Sequence, residues 1–215
     1  VQQVLNNIQQ RQTPELRNIA DLNSFFTDFA RNNTEMFARG FSEITITTRA
    51  DVNGTTDANG LIRLKEDIVN KCIAALNNIQ KGEATTFSQE VALSTLHHEI
   101  WHNTNKIGLV RMSAFQQQTM ELANEFVSRK TLPQFLEKLG GELQNRSLMN
   151  DRDNTGYNTM VRNYDQLIKW SGANEDEVLN TVRDHLINGR YDRQIEGLCN
   201  AIVNHSTNNT DEITV

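Results

Sequence analysis

His98-Glu99-Ile100-Trp101-His102 sets two imidazoles four positions apart, with a carboxylate directly after the first. On an α-helix, positions i and i+4 lie roughly 40° apart around the axis, so His98 and His102 project from one face, one turn apart. Two neutral imidazoles placed that way bind one Zn²⁺ at about 2.0–2.1 Å each. Glu99 sits roughly 100° further round. It reaches a water beside the metal without being drawn in as a ligand. A carboxylate base next to a water acidified by zinc is the working core of a hydrolase, which makes Glu99 the candidate catalytic residue. The bland alternative is a helix that happens to carry two surface histidines.

The preceding residues favour the helix. Ala84 to Leu96 contains neither Pro nor Gly, and Val91, Ala92, Leu96 and Ile100 recur at helical spacing. Thr86 and Gln89 fit a capping box at its start. The motif therefore belongs late on a helix of about five turns. His97 points about 100° away from His98 and reads as a neighbour packed on Trp101, not as a ligand.

A catalytic zinc takes three protein ligands and a water. The third is sought downstream, where Met120-Glu121-Leu122-Ala123-Asn124-Glu125-Phe126-Val127-Ser128-Arg129 reads as another helix. Asn124-Glu125-Phe126-Val127-Ser128 resembles the Asn-Glu-x-x-Ser element of the gluzincins, the thermolysin-like zinc metallopeptidases. The resemblance covers residues 98 to 128. It implies that Glu125 is the third zinc ligand beside His98 and His102. One position departs from the pattern: the element continues with Asp, which orients the first zinc histidine, whereas this chain has Arg129. A guanidinium has no acceptor for an imidazole N–H, so the orienting group must come from elsewhere. A second register, Ala123-Asn124-x-Phe126 followed by Pro133, is similar to the ImmA/IrrE-type metallopeptidases. It puts Leu122 at the ligand position and makes Glu121 the adjacent substitute. Glu121 and Glu125 are themselves i and i+4, so both could face the site; Glu125 is preferred because it matches a full element. The plain reading of both is a solvated helix face.

The remaining elements must position these residues. Val1 to Ile8 reads as a short amphipathic helix, and Thr13-Pro14 as the start of a second whose buried face carries Leu16, Ile19, Phe25, Phe26 and Phe29 up to Gly40. Phe41 to Thr48 alternates and is rich in β-branched residues, so it reads as a strand; a loop with Asn53-Gly54 and Asn59-Gly60 turns follows, then a second strand at Leu61 to Lys65 that should pair with the first. Ile68 to Ile79 forms a helix closed by Gly82. After Pro133 a short helix runs to Leu139, and residues 142–156 read as a polar loop. Helices are expected at about 157–170, 175–188 and 192–204, with a frayed polar tail from Ser206. By resemblance to zincins, the segment 60–65 is a candidate edge for pairing with a substrate backbone.

With 215 residues, the chain can bury a full core. A net charge of −6 argues against nucleic acid as the main partner. No stretch approaches 18 apolar residues, so no membrane span is expected. The first residues show no charged stretch leading into an apolar run, so no export signal is expected in them. Cys72 and Cys199 lack metal spacing, and Cys72 lies on an apolar stripe as a core residue.

The expected fold is α+β and mostly helical: a zincin-like metal-binding domain over 1–139 with a small sheet beside the metal helix, a helical lobe over 140–205 closing the cleft, and a tail over 206–215. The expected activity is zinc-dependent hydrolysis of a peptide or protein substrate. Tyr157 and His185 are the candidates to stabilise an oxyanion. Two rival readings are a non-catalytic zincin-like binding module and a helical interaction domain in which the motif is accidental.

Overall fold

Residues 14–17, expected as helical, are not, and Asn18 opens the first helix among the described residues. Its side-chain oxygen accepts hydrogen bonds from the backbone N–H of Ala20 and Asp21, and helix α1 runs from Ile19 to Asn32. The later start has a tertiary cause. The Asn77 amide accepts from Leu16 N at 2.9 Å and donates to Leu16 O at 2.8 Å, holding residue 16 outside any helix. This is a computed structural model that describes residues 14–108, 111–151 and 157–207 of the chain; the helix expected over Val1 to Ile8 lies outside them.

The sheet has three strands, one more than expected: β1 (Ile44–Ile46), β2 (Gly54–Thr56) and β3 (Ile62–Leu64), in the order β1-β3-β2. β1 runs parallel to β3 with Ile44 opposite Ile62, and β2 runs antiparallel to it with Thr56 opposite Ile62. The Asn53-Gly54 turn is thus the start of a strand. The Asn59-Gly60 turn stands: Gly60 takes φ +76°, and the Asp57 carboxylate accepts from the backbone of Asn59 and Leu61. Because β3 pairs on both sides, the segment 60–65 is the sheet's centre and cannot be the substrate edge. The edges are β1 and β2.

Helix α2 (Glu66–Lys81) ends at Gly82 in the left-handed conformation, φ 70°, as its sequence predicts. Helix α3 (Phe87–Thr104) begins with both halves of the Thr86–Gln89 capping box. It is buried on nearly every side, which suits a helix that crosses the molecule's centre. Helix α4 (Ala114–Lys138) is longer than expected and runs through Pro133, where a break was anticipated. Proline removes one intrahelical hydrogen bond, about 3 kcal/mol in a helix interior. Burial on both sides outweighs it: Ala123, Phe126 and Val127 before Pro133, and Leu132, Phe135 and Leu136 after it, are all at most 2% exposed, and fully burying one such Leu or Phe contributes about 1.5–3 kcal/mol.

The expected polar loop at 142–156 contains a short helix, α5 (Arg146–Asp151), with Met149 buried. Helices α6 (Asn158–Ser171), α7 (Glu175–Asn188) and α8 (Gln194–His205) follow within a residue or two of expectation. The first residues of the tail are pinned rather than frayed: Ser206 Oγ and Thr207 N both donate to Ser171 O. The class is α+β, mostly helical. Among the described residues no helix is long and apolar enough to cross a membrane.

Two apolar cores meet along α4. One gathers α1, the sheet, α2, much of α3, Met149 and the C-terminal part of α4. The other joins Trp101, Ala123, Phe126 and Val127 to α6, α7 and α8. α4 is therefore the beam on which both halves hang, and its N-terminal half faces the motif on α3.

Candidate metal centre

Helices α3 and α4 bring three donor atoms to one point. Nε2 of His98 and Nε2 of His102 lie 2.9 Å apart, and Oε2 of Glu121 lies 3.2 Å from each. Ligands at about 2.0–2.1 Å around a tetrahedral ion sit about 3.3–3.4 Å from one another. The three atoms need to spread by only a few tenths of an ångström to hold such an ion. The carboxylate in this group is Glu121, the substitute in the sequence reading.

Glu125, the ligand implied by the gluzincin resemblance, is placed behind the ring. Its Oε2 lies 2.8 Å from Nδ1 of His98, on the ring edge away from Nε2. The approach is close but not an aligned hydrogen bond, and Nδ1 has no other partner. The other oxygen, Oε1, accepts from Nε of Arg129 at 2.5 Å, and Nη1 of Arg129 donates to Oδ1 of Asn158 at 2.7 Å.

The electrostatics follow from this packing. Burial alone would drive His98 neutral, but Glu121 and Glu125 on its two sides hold its proton and raise its pKa well above the usual histidine range. Burial likewise opposes ionisation of Glu121 and Glu125, yet the neighbouring imidazoles, with Arg129 for Glu125, keep both far below the ordinary carboxylate range. A cation between the three donors would take the place of that proton.

Glu99 is 4% exposed and faces the same cleft. Thr56 Oγ1 lies 2.8 Å from its Oε2. β2 passes so close that a Cβ on Gly54 would fall 2.6 Å from Oε1. Burial pushes the Glu99 carboxyl up, against the pull of His102, His98 and the Thr56 hydroxyl.

His97 takes no part in the donor group. Its Nδ1 donates to Ser128 O at 3.1 Å, its Nε2 accepts from the Trp101 indole at 3.0 Å, and its ring stacks on Phe135 at 4.3 Å. Burial pushes its pKa down to about 3, so it is a neutral core residue, as its position on the helix suggests.

Of the two oxyanion candidates, the fold brings Tyr157 to the site. Its ring stacks 6.1 Å from that of His98, and it lines the cleft with Glu121. His185 is elsewhere, with Nε2 on Arg193 O and its ring against Gly197 in the helical half.

The cleft over these groups encloses about 610 Å³, with β2 on one side and Met120, Glu121 and Tyr157 on the other. Arg39 closes its end. Its Nε donates to Asn103 O at 3.2 Å and its Nη2 to His102 O, satisfying carbonyls that the C-terminus of α3 leaves open. Thr56, Arg39 and Asn158 were not singled out from sequence, and Gly54 only as part of a turn. Each acts through a partner at least 29 residues away, and no local pattern marks it.

Compared with protein-family models, with curated proteins and with solved structures, the chain matches none.

Proposed function

We propose that this protein is a zinc-dependent hydrolase of peptide bonds, with His98, His102 and Glu121 as metal ligands and Glu99 as general base. The observation that carries the reading is the convergence of two Nε2 atoms and one Oε2 within 3.2 Å at the floor of a cleft that also holds the Glu99 carboxylate. Zinc held there supplies a Lewis acid and a water acidified toward neutral pH.

The chain's own residues do the rest. Thr56 holds the Glu99 carboxylate at Oε2, and that carboxylate takes the proton of the attacking water and delivers it to the leaving amine. Burial raises the proton affinity of that carboxylate, which suits a base working near neutral pH. Tyr157 stands in the cleft as the hydroxyl donor to the substrate carbonyl oxygen. β2, an edge strand lining the cleft, offers backbone groups to an extended peptide.

A non-catalytic metal module would close its ion with a fourth protein ligand. The described residues bring three ligand atoms together, and the Glu99 carboxylate shares their cleft; a fourth protein donor found on the bound ion would favour that reading instead.

Glu99→Gln is the test. It should keep one zinc per chain and lower peptide cleavage by about 10²–10⁴-fold. Unchanged cleavage would overturn the assignment.

A further inference from the structure

We infer that Glu125 positions His98 rather than holding the ion, and that Arg129 and Asn158 tie this positioning to the start of helix α6. The inference rests on the metal-site reading above. Nδ1 and Nε2 occupy opposite edges of an imidazole. Glu125 Oε2 lies 2.8 Å from Nδ1, whereas Nε2 faces His102 and Glu121. A carboxylate on the first edge does not reach an ion on the second without turning the ring over.

Both oxygens of Glu125 are also engaged. Oε1 is held by Arg129 at 2.5 Å while Oε2 lies against the ring. Nδ1 is buried and makes no aligned hydrogen bond, and Glu125 Oε2 stands 2.8 Å from it, so a small turn of that carboxylate gives an Nδ1 hydrogen its acceptor and sets which nitrogen carries it. A hydrogen on Nδ1 leaves the Nε2 lone pair for the metal. Such carboxylate backing fixes the ring's orientation and makes it a stronger ligand. It also answers the missing acidic orienter: Arg129, standing where an aspartate would be, acts one step further back by holding the carboxylate that orients.

The chain of contacts then leaves α4. Arg129 Nη1 donates to Oδ1 of Asn158 at 2.7 Å, and Asn158 is 3% exposed at the first position of α6. The residue before it is Tyr157, whose ring stacks on that of His98. One junction at the start of α6 thus reaches His98 twice, through Arg129 and Glu125 and through the Tyr157 ring.

The test measures zinc affinity by chelator competition and the visible absorption of the Co²⁺-substituted protein, with the unfolding midpoint of metal-free protein as the folding control. Glu125→Gln should still bind one metal per chain, about 10–100-fold more weakly, with the intensity of the Co²⁺ bands preserved. Glu121→Gln should lose stoichiometric binding. Arg129→Lys, a milder change that keeps the charge but not the planar fork, should weaken zinc in the same direction by less. The inference is overturned if Glu125→Gln abolishes binding while Glu121→Gln keeps it, or if Glu125→Gln and Arg129→Lys leave affinity unchanged. A wild-type protein that takes up no zinc would instead remove the metal-site reading itself, before any variant is compared.

Discussion

The Thr56 hydroxyl sits between two oxygens of one residue, 2.8 Å from Oε2 of Glu99 and 2.9 Å from the Glu99 carbonyl. One hydroxyl has one proton, so it serves these acceptors in turn, and the ionised carboxylate is the stronger of them. The contact fastens β2 to α3 at the residue proposed as the base. Thr56→Val keeps the shape and removes the donor. A hydrogen bond to a charged group contributes about 1.5–3 kcal/mol, part of which is carried into the transition state. We expect kcat/KM for a peptide substrate to fall about 10-fold, with zinc content unchanged. Steady-state kinetics beside a metal assay check this, and wild-type rates would show that Thr56 is idle.

Gly54 makes the close approach of β2 possible. A methyl group there would lie 2.6 Å from Oε1 and 2.8 Å from Cγ of Glu99. Gly54→Ala must push the Glu99 carboxylate aside or move the strand, at about 1–3 kcal/mol. The expected variant folds, binds zinc, and is slower by about one to two orders of magnitude, because displacement of a reacting group by about 1 Å costs on the order of 10²-fold. A crystal structure of the variant would show the shifted carboxylate.

Glu90 provides a control on the same helix. Its buried carboxylate accepts from the Thr85 hydroxyl at 2.9 Å, Gln144 N at 2.7 Å and Asn145 N at 3.0 Å, clipping the start of α3 to the segment before α5. Glu90→Gln replaces one acceptor oxygen with a donor among donors. The expected cost is about 1–3 kcal/mol, or about 3–10 °C in the unfolding midpoint for a chain of this size. Zinc affinity should not change, since Glu90 lies two turns from His98. Calorimetry and chelator competition separate the two effects.

Local signals made α3 legible. The capping box of Thr86 and Gln89, the helical spacing and the two histidines all lie within one helix, and the structure keeps them together. The Gly82 stop and the three C-terminal helices were legible for the same reason. β2 was not. Gly54-Thr55-Thr56 shows no apolar alternation and becomes a strand only by pairing with β3. The start of α1 was hidden because the amide that fixes Leu16 sits 61 residues away. Glu121 and Glu125 share a face of α4, so spacing alone ranks neither. Packing separates them: Glu121 meets both Nε2 atoms, while Arg129 and the back of the His98 ring take Glu125.

Pro133 gives a prediction about stability without chemistry. It lies inside α4 and removes the N–H that would meet the Arg129 carbonyl. Pro133→Ala restores that donor. The expected gain is about 1–3 kcal/mol, read as a higher unfolding midpoint with unchanged metal affinity; a drop would mean that the proline packs better than the helix it interrupts.

Metal content of the purified, folded chain tests the account most directly. One zinc per wild-type chain, lost in both His102→Ala and Glu121→Gln while each variant keeps its helical circular dichroism, is the predicted result. A folded wild-type protein that binds no zinc, or a His102→Ala variant that binds it as tightly as wild type, would contradict the account.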